Sequence, residues 1–412
     1  MIAFAPRKWW LAALVACTAG CATVDPSEEP AELTEFKPSL DVRVMWRHGL
    51  SEDMEDLLLG LAPASDGVHA YAATHDGVVS AFRLDDGRRV WRTRLTHTEP
   101  VHLRWWHLIG HLKEWLMPAG QRLSAGPGVA EGLVVVGSSD GEVSALRASD
   151  GTLLWAVKLT GEVLSAPAIA GGVVVVRTVD GQLTALAAND GHTLWRVAED
   201  LPPLTLRGNA APVVAGQTVV AGFDNGKLAA YDLATGTMQW QNALATPAGR
   251  TDIEKLVDID GAMRVLGSTV YAAAHRGHVA AVSLETGDVV WSQELSSHRG
   301  LAVDYGAVYV TSDNGEVWAY DRNGGAPLWN QDALRARRLT APVRVGDALV
   351  VGDFEGYLHF LDRFTGALAA RVRVGSGAIV LPPVAVNDTV IALTEEGDLA
   401  AVRAALPPEK GG

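Results

Sequence analysis

The sequence predicts an all-β chain, an eight-bladed β-propeller whose ring is closed by its own N-terminal strand. Three observations predict it. A turn glycine and a tryptophan recur 14 residues apart at Gly77/Trp91, Gly141/Trp155, Gly181/Trp195, Gly226/Trp240, Gly277/Trp291 and Gly315/Trp329. Between them apolar and polar residues alternate, as in Val143 and Ala145 against Ser144, the period of a half-buried strand. A last copy beginning at Glu396-Gly397 runs out of chain before its tryptophan, while Val42-Arg43-Val44-Met45-Trp46 is a spare strand that carries one.

In chain order, the first element is an export signal. Arg7 and Lys8 precede an apolar run, Trp9 to Ala16, that is too short to span a bilayer. The only two cysteines, Cys17 and Cys21, follow directly, where a disulfide framework would instead spread them through the fold. Leu14-Val15-Ala16-Cys17 resembles a lipobox, so Cys17 is the expected lipidation site. Cys21 is the alternative, since Thr18-Ala19-Gly20 has the small residues but not the aliphatic one. The plainer reading is a cleaved signal whose cysteines carry no lipid. Neither cysteine is followed by Asp, which among lipoproteins implies the outer membrane. Several acyl chains hold a protein firmly where a single one binds only marginally. The expected organisation is signal 1–16, lipidated cysteine and tether 17–40, propeller 41–405 with a helical insertion at about 97–123, and tail 406–412.

Each propeller unit reads as a β-branched run, a turn ending in glycine, a short alternating strand, a second turn, then the tryptophan. Asp140-Gly141 leads through Asp150-Gly151 to Trp155. The Asp-Gly, Asn-Gly and Thr-Gly pairs supply the positive φ that tight hairpins need. One tryptophan per unit fills the wedge between neighbouring blades, and its burial contributes roughly 2–3 kcal/mol. The pattern is quinoprotein-like in this docking of tryptophans. A seventh copy, from Glu355-Gly356 to Thr365-Gly366, has Ala370 at the tryptophan position. Seven blades is the competing count, if the terminal fragments do not pair.

Function is sought where the repeat breaks. Plain copies run 24 to 27 residues from the tryptophan position to the next turn glycine. Trp91 to Gly141 takes 50, Trp195 to Gly226 takes 31 and Trp240 to Gly277 takes 37, all in the connection between blades that emerges on one face. The second of these carries Leu204, Leu206 and Arg207, a composition common at interfaces, although the two leucines also suit inward strand positions. The third carries Asp258 and Asp260 on one side of an alternating run, with Val257 and Ile259 on the other. Two such carboxylates suit a cation, acid–base work, or simply a solvated loop. The longest predicts an amphipathic helix over 101–117, with Trp105, Leu108, Leu112 and Trp115 along one face. It would dock on the propeller itself, on a partner, or on a membrane surface. Its His107 and His111 lack further ligand signatures, so no metal site is assigned.

A net charge of −14 makes this a poor nucleic-acid binder, because phosphate contact needs basic surfaces. No cysteine lies beyond residue 21, and no Gly-rich phosphate loop or Cys/His cluster appears, so no cofactor and no catalytic residue is assigned.

Several stretches are specific: Leu204-Thr205-Leu206-Arg207-Gly208, Val257-Asp258-Ile259-Asp260-Gly261, Leu328-Trp329-Asn330 and Gly352-Asp353-Phe354-Glu355-Gly356-Tyr357. On these the chain resembles the BamB family, the propeller lipoproteins of the outer-membrane β-barrel assembly machine. The resemblance covers nearly the whole chain, but the 101–117 segment departs from the family pattern. It implies a non-enzymatic periplasmic scaffold at the outer membrane. Such a scaffold binds the polypeptide-transport-associated (POTRA) domains of the machine's barrel subunit and assists insertion of outer-membrane proteins. Unfolded barrel clients are a further implied partner. By the same resemblance Leu204, Leu206, Arg207, Asp258 and Asp260 are the partner contacts. The alternatives are a sugar- or peptidoglycan-binding envelope propeller and a quinone-dependent dehydrogenase. The dehydrogenase would need a vicinal cysteine pair that this chain lacks.

Overall fold

Each Gly–Trp unit folds into one four-stranded antiparallel sheet, the shortest arrangement that buries an alternating strand on both faces. The computed structural model describes residues 29–50, 60–96, 120–202, 210–244, 257–259 and 261–405. Seven sheets follow chain order: blades one to seven span 64–94, 123–158, 168–198, 213–243, 264–294, 301–331 and 343–373. In the eighth, Val384–Val386, Thr389–Leu393 and Asp398–Ala405 are joined by Asp41–Gly49 as outermost strand, in a register running from Asp41 opposite Ala405 to Gly49 opposite Asp398. The predicted closure by the N-terminal strand is therefore present, and with it the eighth blade. The N-terminal strand covers the edge that Asp398–Ala405 would otherwise present.

The core is not one mass but eight seams, each shared by two neighbouring blades. Trp155, Val143 and Leu159 of blade two meet Val174, Val176 and Leu186 of blade three. Trp46 and Leu399 of blade eight meet Ala70, Ala72 and Phe82 of blade one, which seals the ring. In blades one, three, four and five the outermost strand has its third residue, the tryptophan, as its one buried position. A β-bulge beside that residue, as between Ala145 and Leu146 opposite Trp155, turns the ring sideways into the seam.

Each tryptophan lands on the second turn of the next blade. The Trp155 indole N–H donates to the Ala188 carbonyl at 2.8 Å, and its ring lies on Gly191, where a Cβ would sit 2.7 Å from the ring. Trp91 meets Ala148 and Gly151 in the same way, and Trp46 meets Leu84 and Gly87 across the closure. This explains Ala370. Its ring-neighbour, blade eight, joins its two outer strands by pairing and not by a turn, so there is no turn glycine for a tryptophan to lie on. Ala370 instead packs beneath Leu40, Val42 and Val44.

The segment before the first strand lies along blade seven. The Ala31 N–H donates to the Arg335 carbonyl at 3.1 Å, and Arg337 donates back to the Ala31 carbonyl at 3.0 Å. Leu33 packs into the seam between blades six and seven. Arg371 donates to the Thr34 carbonyl and lies over the Phe36 ring. Cys17 and Cys21, the 101–117 segment with Trp105 and Trp115, and the tail after 405 lie outside the described residues.

Candidate functional site

The three long connections do share one end of the sheets. In each blade the connection leaving the outermost strand pairs with the turn between the second and third strands. Leu95 donates to the Gly77 carbonyl, Glu199 to Gly181, and Leu244 to Gly226. The chain therefore leaves blades one, three and four beside those turns, on one face of the disc.

The described roots of the second and third insertions flank the same turn, Phe223 to Gly226 of blade four. The root of the first of these two is pinned by Glu199, whose carboxylate accepts from Lys227 at 2.6 Å, Asn225 at 3.1 Å and Gln241 at 2.8 Å. Leu201 packs into the seam below, and Ala210 is buried where the connection re-enters blade four. Leu204, Leu206 and Arg207 lie outside the described residues, as does Asp260.

Asp258 is described, and it departs from expectation. The alternation of Val257, Asp258, Ile259 and Asp260 predicted an open acidic side, yet Val257, Asp258 and Ile259 are all buried, Asp258 with 0% exposure. The reason is that this segment crosses the seam between blades four and five instead of lying on the surface. Val257, Ile259 and Met263 belong to that seam's core. Gly222 leaves room for Ile259, whose Cγ2 would be 2.6 Å from a Cβ there. The Ile259 N–H donates to the Phe223 carbonyl at 3.4 Å, and the Asp258 carbonyl accepts from the His275 N–H at 2.9 Å. Both sides of the described run, Val257 to Ile259, are covered, so the Asp258 carboxylate does not lie on an open acidic side.

At the same turn lies a buried ion pair between Arg177 of blade three and Asp224 of blade four, with the Arg177 guanidinium 5.7 Å from the Phe223 ring. A second buried group sits at blade seven. Asp353 accepts from Arg337 at 2.9 Å and His359 at 2.9 Å, and Arg337 also pairs with Glu355. Burial pulls the Asp353 carboxyl upward, but the His359 and Arg337 interactions outweigh it and hold it below the usual range. This group joins the N-terminal segment to the same face, since Arg337 holds Ala31.

A third polar cluster, not foreseen from the sequence, joins blades five and six on that face. His275 and Asp313 sit on second-to-third-strand turns, and His298 on the connection between the blades. His275 Nδ1 is 3.0 Å from Asp313 Oδ2 and His298 Nδ1 is 2.5 Å from Asp313 Oδ1. The three residues are 23 and 15 positions apart, so no local spacing signals them.

The family model for outer membrane protein assembly factor BamB matches residues 75–331 and 320–405. The BamB of Xanthomonas campestris pv. campestris is 41% identical over 399 residues, covering 94% of this chain and 95% of that protein. The BamB of Escherichia coli K12 is 36% identical over 400 residues, covering 95% and 97%. The crystal structure of BamB from Moraxella catarrhalis superposes with a TM-score of 0.74 at 28% identity, covering 88% of this chain and all of that one. Quinohemoprotein alcohol dehydrogenase from Comamonas testosteroni superposes at 0.63 with 14% identity, a likeness of fold alone. A ring of eight tryptophan-docked blades closed by the N-terminal strand, with relatives of this identity along nearly its full length, places the chain in the BamB family of outer-membrane protein assembly factors.

Proposed function

We propose that this protein is a non-enzymatic scaffold of the outer-membrane β-barrel assembly machine. It is held on the periplasmic face by lipid on Cys17, or on Cys21, and contacts the POTRA domains of the barrel subunit through the insertions after blades three and four. As a BamB-family member it acts in outer-membrane protein assembly. The observation that carries the finer reading is the convergence of the described roots of the two insertions, Glu199–Asp200 and Val257–Ile259, on the Phe223–Gly226 turn. In this reading Leu204 and Leu206 supply an apolar anchor to the partner and Arg207 and Asp260 a polar rim, while Asp258, a contact by resemblance, is buried. Unfolded clients would meet the same face while the barrel subunit is engaged.

The test is capture of partners from detergent-solubilised outer membranes, with wild type beside Leu206→Ala/Arg207→Ala and Asp260→Ala variants. Hot-spot losses of about 2 kcal/mol or more, over 20-fold in affinity, are expected for the double variant. Wild type should recover the barrel subunit, and the folded double variant should not. Recovery of no assembly-machine component by wild type would sink the reading and turn attention to cell-wall binding.

A further inference from the structure

We propose that His275, His298 and Asp313 form a binding site for a divalent transition-metal ion of the zinc class, which staples blade five to blade six. Two imidazoles and one carboxylate are the ligand types such an ion prefers, and three protein ligands leave one position for water. One ligand atom from each residue lies within 4.8 Å of the other two. The nitrogen-to-oxygen separations of 3.0 and 2.5 Å are hydrogen-bonding distances, each ring nitrogen meeting its own carboxylate oxygen. Ligands around a tetrahedral zinc stand about 3.3 Å apart. Each of these two nitrogen-to-oxygen separations therefore opens by less than an ångström to admit the ion, while the ligand atoms of the two rings, within 4.8 Å of each other, close on the same point. Each neutral imidazole moves its proton from Nδ1 to Nε2 and presents the freed lone pair.

The surroundings fix the carboxylate as a supporting shell does. Ser296 Oγ donates to Asp313 Oδ2 at 2.5 Å, and the His298 N–H donates to Oδ1 at 3.0 Å. The Arg276 N–H in turn donates to Ser296 Oγ at 2.7 Å. The two rings meet edge to face, 77° apart, as rings aimed at one point can. Burial pulls the Asp313 carboxyl upward, but the bonds from His275, His298 and Ser296 together hold it well below the usual range. The side chains are 23–38% exposed, which gives an ion a way in.

The experiment is zinc titration of the purified full chain in detergent, by calorimetry and by metal analysis after dialysis, with cobalt absorption to read the geometry. We expect one ion per chain at pH 7.5 and a rise in melting temperature with zinc. His275→Ala/His298→Ala should abolish both binding and the thermal shift. His298→Gln alone, at a partly exposed position, should weaken binding at least tenfold and serves if the double variant misfolds. His107→Ala/His111→Ala should bind as wild type. The proposal is overturned if the wild-type chain binds no zinc, if the double variant binds it fully, or if the His107/His111 variant is the one that loses it.

Discussion

A tryptophan can fill a wedge only if the surface it meets has no side chain, and that makes the glycines of the second turns as specific as the tryptophans. Gly191 has φ +76° and would place a Cβ 2.7 Å from the Trp155 ring, whereas Gly216 has φ +60° and nothing within 4 Å. Gly191→Ala combines a left-handed backbone with overpacking and is expected to cost about 2–4 kcal/mol. Gly216→Ala carries the backbone cost alone, about 1–2 kcal/mol. Chemical denaturation of the two variants reads the difference, and equal losses would refute the platform role. Asp66 gives a residue-scale test in pH. Burial raises its carboxyl, but the His69 and Val68 N–H groups and the Tyr71 hydroxyl outweigh that and lower it from 3.8 to about 2. A carboxyl lowered on folding stabilises fully above its unfolded value and loses that contribution as pH falls towards the folded one. The melting temperature of wild type should therefore exceed that of Asp66→Asn by a constant margin above pH 5. The margin should shrink between pH 4 and pH 2, and one that stays constant to pH 2 contradicts the assignment.

Elements were legible to the extent that their cause was local. The second turns, the alternating strands and the tryptophan each depend on residues a few positions apart, so their period was readable, and the unpaired strand at Trp46 followed from the missing last copy. Ala370 was legible as an exception but not as a consequence, because its reason lies in the blade beside it. Asp258 shows a different limit. Alternation separates two sides of a strand, and it predicts exposure only when one side faces water. Val257 to Ile259 lies in a seam covered from both blades. His275, His298 and Asp313 were not legible at all, since only the stacking of blade five on blade six brings three distant turns to one point.

At the scale of the molecule, stability resides between blades and not within them. A blade removed from its neighbours would expose both faces of its inner strands, so no blade is a separate folding unit and a single transition is expected. The closing contact is the sharpest test. Removing residues 29–49 takes Trp46 from the last seam and uncovers the edge of Asp398–Ala405. The expected result is a melting temperature lower by about 10 °C or more, with edge-to-edge association visible by light scattering. A monomer with an unchanged transition would mean that the ring gains nothing from closure.

The pairing of Asp41–Gly49 with Asp398–Ala405 also bears on when the fold can be completed. A chain made from its N-terminus forward yields one of these strands at the outset and the other at the close. The early strand must wait, unmatched, through the production of every blade between them. A product cut short anywhere along the way never supplies the match, and its first strand stays available to proteases. The topology thus acts as a check on completeness, admitting to the native state only chains that were made to their end.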